Sequence, residues 1–584
     1  MELPLQLAKK LAPLLRTQRA EVGLAFHHLT TRQSWAHNDR CFPLSDLLRL
    51  LIAMAAYQTA ERGNLPLAKA ITIASSPLTV RELIRRTLAG NDQQAKSLLL
   101  EQIGYRALNL ALEYWGLTYT RVPRRIAGKT VPITTPSEMV ILLSKLLEPS
   151  GLQTRHAHEL LSFLRLEPCP AYLQKLASAW DPACIVASTP GIHHLAYLVA
   201  GKASLVLVIL TAGEITSATM AKIAQSILDY YADIEQNLDR IQAVLATEKL
   251  RHAPDQRLVA WEVTPTWEAG KIALQGFTSV AGWQDIFHRC QSGCAVTVVD
   301  QVRSWHAEPN WAIVSPALTH LRKGPSHAAE LVSQLTMGSI LDVLDTGAEW
   351  WFVRAHDGTL AWVRSSHLRL ASSGEAEHWC NRDQLLVLPP LVTLPCGNAG
   401  TITLSAGSRL WYLATDKENL VSCTPDQAEV RLPASSCRLV AGSQHQTTAW
   451  SSARELIDLA LRFLGIPYLW GGASGWGIDC SGLTQLVFAL IGIRLPRDSD
   501  QQLALAREHC YLSALSELLP ADLVFFPGHV GIYLGNGAFL HASAANGYVT
   551  INTLTTGTPG YSPGLAERLI GGGRLLELAQ EALL

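Results

Sequence analysis

Ile478-Asp479-Cys480-Ser481-Gly482, continuing as LTQLVFALIGI to Ile493, decides how this chain is read. Leu483, Leu486, Val487 and Leu490 recur at helical spacing, so a helix is expected from Cys480 with Asp479 as its N-cap. A helix N-terminus carries about half a positive charge and stabilises a thiolate. A free thiol with a pKa near about 8.5 is only a few per cent ionised at pH 7, and a shift to about 6 would make it roughly 90% thiolate. The first-turn N–H groups can also receive an oxyanion.

A nucleophilic cysteine needs a base. Downstream lie His529-Val-Gly-Ile-Tyr-Leu-Gly and Phe-Leu-His541-Ala-Ser, two strand-like runs separated by Gly535-Asn536-Gly537. A three-residue loop sets His529 opposite Ser543 and puts His541 on the same face, one diagonal step away. A two-residue loop sends the two histidines to opposite faces.

Outward from this core, Ser452-x-x-Glu455 reads as a capping box opening the last domain, and Ala441–Ala449 reads as a polar linker before it. Residues 313–372 hold short strands punctuated by Gly338, Gly347 and Asp357-Gly358, as in a small barrel, and 376–440 repeat that texture less clearly. Residues 255–312 read as a small α+β domain. Residues 1–250 mix a sheet with helices: a buried helix at Leu47–Tyr57, a core strand at Leu205–Leu210 and a closing helix at Ala218–Tyr230.

The whole chain of 584 residues is 48% hydrophobic and 17% charged, which excludes disorder as its main state. With 48 Lys+Arg against 49 Asp+Glu, no global charge draws it to nucleic acid or an anionic membrane. The longest apolar stretch, Ala203–Gly213, is about half the length of a membrane span. Met1–Gln18 does not read as a signal peptide. Eleven scattered cysteines argue against a disulfide scaffold and for a reducing cytoplasm. Cys290 and Cys294, with His288 nearby, lack a second ligand pair, so neither metal nor cofactor is expected.

The runs YLWGGASGWGIDCSGLTQ (Tyr468–Gln485), LPRDSDQQ (Leu495–Gln502), DLVFF (Asp522–Phe526), HVGIYLG (His529–Gly535) and FLHAS (Phe539–Ser543) together resemble the NlpC-type papain-like cysteine peptidases of bacterial cell-wall metabolism. The resemblance covers about residues 450–584. It implies Cys480 as nucleophile, His529 as general base and His541 as the orienting third residue. The stretch from Ala329 to Val363 resembles a bacterial SH3-like domain, and this pairing resembles the γ-D-glutamyl-L-diamino acid endopeptidases, also called dipeptidyl-peptidase VI. That likeness implies murein peptides bearing a free N-terminal L-alanine as substrates. It also implies Asp479 as the ammonium anchor, with Trp470, Ser481 and Ser499 in the same pocket and Glu330 adding a second anion from the SH3-like domain. Core packing is the other reading of Trp470. One departure stands out: Gly358-Thr359-Leu360 replaces a common glycine–tyrosine step, and if that tyrosine closes the pocket, this chain's dipeptide preference is looser.

The N-terminal region resembles the serine β-lactamase and penicillin-binding fold through Pro43–Tyr57, Leu83–Gly104 and Ile133–Pro149. The alignment puts Asp46 at the nucleophile and Arg49 at the lysine of S-x-x-K; a one-residue slip offers Ser45 but with Leu48 at the lysine. Asn91-Asp92-Gln93 stands in place of S-D-N, no Glu or Asp lies between Tyr119 and Thr134, and Ile185-Val186-Ala187 falls where K-T-G would be. An arginine is a poor proton acceptor and a carboxylate forms no stable acyl-enzyme. This domain is therefore expected to be inactive.

The resulting expectation is a multidomain α+β protein. An N-terminal β-lactamase/penicillin-binding-like α/β domain (1–250) is followed by a small α+β domain (255–312). Two SH3-like β-barrels (313–372 and 376–440) and a papain-like α+β peptidase domain (450–584) complete the chain. The expected activity is cleavage of the γ-D-glutamyl–diamino acid bond of murein peptides during cytoplasmic recycling. A papain-like amidase or acyltransferase on another amide or ester, or a muropeptide-binding or sensing protein, are the alternatives.

Overall fold

The computed structural model describes residues 5–577 apart from 17–19, 74–75, 124–130, 149, 167–168, 171–181, 200–203, 269, 306–309, 397–399 and 443–451. Most of the linker at Ala441–Ala449, and part of the Tyr119–Thr134 stretch, lie outside the described residues. The chain forms two compact units: residues 1–246 with 264–275 and 284–301, and residues 247–263 with 276–283 and 302–584.

The first unit is built on a five-stranded sheet in the order Gln33–His37, Glu21–His28, Leu205–Ala212, Ile192–Val199, Ala183–Thr189, with every pairing antiparallel. Leu205–Ala212 is buried along almost its whole length, because helices cover it. Helix Leu48–Glu61 is buried at every position from Arg49 to Gln58, as its apolar sequence requires. The expected closing helix is only the start of a longer one, Ser217–His252, and the division between the units falls inside it.

Residues 255–312 do not stand as a separate domain. Strands Trp261–Glu268, Lys271–Thr278 and Val298–Ser304 do form one sheet, but their residues are divided between the two units. Their buried aromatic side chains do not all pack among themselves. Trp305 stacks on Phe277 at 4.3 Å and meets Phe352 of the first barrel at 4.9 Å, in one cluster with Ala260 and Leu360.

Two seven-stranded barrels follow, Asn310–Val314 to Leu368–Ala371 and Gln384–Val387 to Cys437–Val440. Numbered along the chain, the strands of both neighbour one another in the order 3-2-6-5-4-1-7. Both bulge where the fourth strand pairs with the fifth, and both place a short 3-10 turn before the last strand. The second barrel therefore duplicates the first in architecture, although the two sequences share no visible repeat.

The last domain packs helices Ala453–Leu461, Cys480–Leu490 and Ser499–His509 with a six-stranded sheet. Its strand order is Tyr511–Leu512, Gly571–Gly573, Leu523–Phe526, His529–Gly535, Ala538–Ser543, Tyr548–Thr553. Leu483, Val487 and Phe488 of the central helix bury against Val530, Ile532 and Leu540. Truncating the fully buried Phe488 to alanine would cost about 3–5 kcal/mol. This packing fixes the start of the helix against the strand that begins at His529.

Candidate active site

Asp479 has extended backbone and caps the helix: its Oδ1 accepts the Gly482 N–H at 2.7 Å. Cys480 follows in the first turn and is buried. The backbone N–H groups of Val530 and Ser481 both point at its thiol, so the sulfur lies against the strand carrying His529. Burial, and next the Asp479 charge, push this thiol up to about 11. That corrects the expectation of a preformed thiolate. The helix terminus does favour the anion, but loss of water from a buried sulfur outweighs it.

The histidines are joined by a device the sequence left conditional. Gly535 pairs with Ala538 across the two-residue turn Asn536-Gly537, whose φ values are 52° and 82°. Such a turn alone would send the histidines to opposite faces. A bulge at Leu534, between Tyr533 and Gly535, adds the residue that restores parity, and Ile532 pairs with Leu540. Continued, this register sets His529 opposite Ser543 and one diagonal step from His541. The rings meet edge to face, with His529 Nε2 and His541 Nδ1 2.7 Å apart. Burial, then the His541 and Arg568 charges, bring His529 down to about 3, and burial also lowers His541. Thiol and imidazoles are therefore all neutral at rest. A neutral thiol beside a neutral imidazole can act as a nucleophile when the proton moves as the sulfur attacks.

Asp479 is not a free carboxylate. Besides capping the helix, its oxygens accept Gly471 N–H at 2.9 Å and two N–H groups of Arg497 at 2.6 and 3.0 Å. Arg497 is only 2% exposed and also donates to Ser481 Oγ at 3.0 Å and to Ser333 Oγ of the first barrel at 2.9 Å. The charge expected to hold a substrate ammonium is thus already compensated inside the protein. Arg497 stood in the quoted LPRDSDQQ run, but nothing local in that run tied it to Asp479.

Trp470 is 64% exposed, which removes the core-packing reading. Its indole N–H donates to Glu330 Oε1 at 3.0 Å, while Lys323 Nζ lies 3.3 Å from the other Glu330 oxygen. The structure therefore brings these two residues together from separate domains. Gln334 strengthens the same junction, accepting Ala473 N–H and Ser474 Oγ–H at 2.9 and 2.8 Å. Ser499 opens helix Ser499–His509 between two aspartates that share one cation: Arg257 lies 2.9 Å from Asp498 Oδ2 and 2.7 Å from Asp500 Oδ2. Thr359 is buried, and the neighbouring Leu360 N–H bonds to the Arg257 carbonyl at 2.8 Å. Sequence reading missed Arg497, Arg257, Gln334 and Asn552, the last of which lies 2.9 Å from His541 Nε2.

The first unit places Asp46 in the turn Ser45–Leu47 just before helix Leu48–Glu61, with Ser45 at a φ of 47°. Lys96 Nζ lies 3.3 Å from the Asp46 carboxylate. Arg49, fully buried, donates to the carbonyls of Leu88 at 2.8 Å and Val186 at 3.5 Å. Among the described residues, no group of three or more His, Cys, Asp or Glu could hold a metal, and no helix is long and apolar enough to cross a membrane.

Three family models match the chain: the NlpC/P60 family over residues 465–562, the beta-lactamase enzyme family over 6–231, and the bacterial dipeptidyl-peptidase SH3 domain over 321–368. A gamma-D-glutamyl-L-lysine dipeptidyl-peptidase of Bacillus cereus is 28% identical over 274 residues, 43% of this chain and 77% of that protein. A dipeptidyl-peptidase 6 of Lysinibacillus sphaericus is 26% identical over 272 residues, 45% of this chain and 99% of its own length. A crystal structure of an NlpC/P60 family protein from Bacillus cereus aligns at 24% identity with a TM-score of 0.41, covering 46% of this chain and 99% of that one.

Proposed function

From a chain that is a cysteine peptidase, with an NlpC/P60 domain, a dipeptidyl-peptidase SH3 domain and a β-lactamase-like domain, we propose a muropeptide-trimming endopeptidase. It cuts the γ-D-glutamyl–diamino acid bond of murein peptides whose N-terminal L-alanine is free. The carrying observation is Cys480 at the helix start with His529 hydrogen-bonded to His541, combined with Glu330 of the SH3-like domain meeting Trp470. The relatives from Bacillus cereus and Lysinibacillus sphaericus, which bear dipeptidyl-peptidase names, agree with it.

In this mechanism the Cys480 sulfur attacks the γ-carbonyl carbon of D-glutamate while His529 takes the thiol proton. First-turn N–H groups receive the oxyanion. The C–N bond breaks as His529 returns the proton to the leaving diamino-acid amine. Water then adds to the thioester with His529 as base, releasing L-Ala-γ-D-Glu and the free thiol. Glu330, the less compensated carboxylate, receives the L-alanine ammonium, and Asp479 contributes through its ion pair with Arg497. Trp470 offers an exposed ring face beside that ammonium.

The work is assigned to the cytoplasm, in recycling of murein peptides, on the strength of eleven scattered cysteines and the free-amine requirement. The β-lactamase-like domain performs no acyl chemistry. Mass spectrometry of L-Ala-γ-D-Glu-diamino acid peptides incubated with the protein tests the reading. The expected products are the dipeptide and the released diamino acid, with much slower cleavage of the N-acetylated peptide. Equal kcat/KM for free and acetylated peptides, or cleavage only of other amides or esters, overturns it.

A further inference from the structure

Behind His529 and His541 the hydrogen-bonded chain has a third member, Asn552. His541 pairs with Thr550 across the sheet, so Asn552 sits one diagonal step further on the same face, just as His529 does on the other side. Asn552 Nδ2 lies 2.9 Å from the carbonyl oxygen of Gly560. That oxygen also accepts the Thr553 N–H at 3.0 Å, and Gly560 holds a φ of +81°. A carbonyl can only accept, so the nitrogen of the Asn552 amide must face it.

The amide oxygen then faces His541 Nε2 at 2.9 Å, and since an amide oxygen only accepts, His541 Nε2 carries a proton. Neutral His541 therefore has a bare Nδ1. That atom meets His529 Nε2 at 2.7 Å and must accept from it. Neutral His529 then carries its proton on Nε2 and keeps the Nδ1 lone pair free. We infer that Asn552 is a positioning residue which, anchored by the Gly560 carbonyl, fixes His529 as the tautomer able to take a proton at Nδ1. This rests on the reading of His529 as the base of a cysteine peptidase.

Replacement by aspartate reverses the relay. A carboxylate cannot donate to the Gly560 carbonyl and favours a doubly protonated His541. His541 then donates from Nδ1, His529 Nε2 must accept, and the His529 proton moves to Nδ1, where it blocks the base. The charges that bear most on His529 are those of His541, Arg568 and Asp479; Asn552→Asp leaves Arg568 and Asp479 as they are and adds its own carboxylate behind His541.

The test compares wild type, Asn552→Ala, Asn552→Gln and Asn552→Asp as full chains. In wild type, ¹⁵N spectra are expected to show Nε2–H on both histidines. Iodoacetamide alkylation of Cys480 gives a rate that needs no murein substrate, so failure of the proposed substrate stays distinguishable from failure of this relay. Asn552→Ala is expected to lower kcat and alkylation by about 10-fold with KM unchanged. Asn552→Asp is expected to create an acid limb absent from wild type, with losses below it approaching the roughly 10²–10⁴-fold contribution of a general base. Asn552→Gln restores part of the rate if its amide spans the same two partners. An Nδ1–H tautomer on wild-type His529 overturns the inference, and so do unchanged rates and pH profiles in both Asn552→Ala and Asn552→Asp.

Discussion

Two helix starts in this chain invite comparison: Ser45-Asp46 in the first unit and Asp479-Cys480 in the second. Each is followed or flanked by a buried arginine, Arg49 in one and Arg497 in the other. In the first, charge stands at the positions where chemistry would occur: Asp46 faces Lys96, and Arg49 is held by backbone carbonyls. In the second, the charges stand one layer back, where Arg497 holds Asp479 and Asp479 caps the helix. The groups in front are neutral: a thiol, two imidazoles and an amide. A fixed ion pair holds a scaffold together but has no proton to move near pH 7. Neutral groups with matched donors and acceptors can move one. Both helix starts sit in well-packed folds, yet only one presents groups that can move a proton, so fold and chemistry part company within one chain.

The largest effect that can break the comparison is at Cys480. Cys480→Ala is expected to abolish hydrolysis, His529→Ala to lower kcat by roughly 10²–10⁴-fold, and Asp46→Ala to leave peptide cleavage unchanged. Product quantification by mass spectrometry checks all three. The mirror experiment is intact mass after penicillin treatment, with no adduct expected. A penicilloyl group on Ser45 would show that the first site is alive in the register with Leu48 at the lysine.

Next in size is Arg497→Met, which leaves Asp479 buried without its cation. The second unit is expected to lose about 3–5 kcal/mol of stability, read from denaturant unfolding. A loss below about 1 kcal/mol would mean that the ion pair does not hold the site together.

Titration sharpens the contrast further. With the thiol near about 11, alkylation of Cys480 should climb with pH from 7 to 10 without a plateau. A plateau below neutrality would restore the preformed thiolate. The folded His529 sits at about 3, well under the ordinary imidazole value, and His541 is also lowered. The unfolded chain thus binds protons that the folded one refuses. The stability contributed by these two neutral rings is full above pH about 6.5 and is lost as pH falls toward 3. Unfolding midpoints measured from pH 7 to 4 check that slope.

The smallest effect is at Glu330, a solvent-exposed carboxylate whose interactions are screened. Glu330→Gln is expected to lower kcat/KM on free-amine peptides by about 2- to 5-fold, equivalent to roughly 0.4–1 kcal/mol. No change on that substrate would leave the ammonium to Asp479.

Local features were legible in the sequence. The Asp479 cap and the helix after Cys480 follow from side-chain type and spacing over a dozen residues, as does the buried helix at Leu48–Glu61. The histidine register could be posed but not decided, because a bulge at Leu534 is invisible to alternation counting. Arg497 and Asn552 were passed over because their partners lie across the fold, and no local pattern ties an arginine to an aspartate 18 residues away. The ionisation of Cys480 was misjudged for a related reason. Helix-terminus charge can be read from position, whereas burial of the sulfur depends on strands that come later. Residues 255–312 looked like a domain from strand texture, but Phe277 and Trp305 pack with Phe352 and Leu360 of the first barrel.

The bulge at Leu534 has a genetic consequence. Gene lineages gain and lose codons in hairpins freely, since loop length costs little free energy. Here length has a parity that the bulge sets. Leu534 is the residue left out of the pairing, so removing it alone would keep Tyr533 opposite Phe539 and Ile532 opposite Leu540, with both histidines on one face. Straightening the bulge with Leu534 still present would instead rotate His529 to the far face from His541. Every named residue would then still be encoded, and an inventory of the protein's reactive side chains would find none missing. A lost codon is harmless where it takes the bulge with it, and a lost bulge is harmful where the codon stays, a constraint that no residue-by-residue comparison of sequences can register.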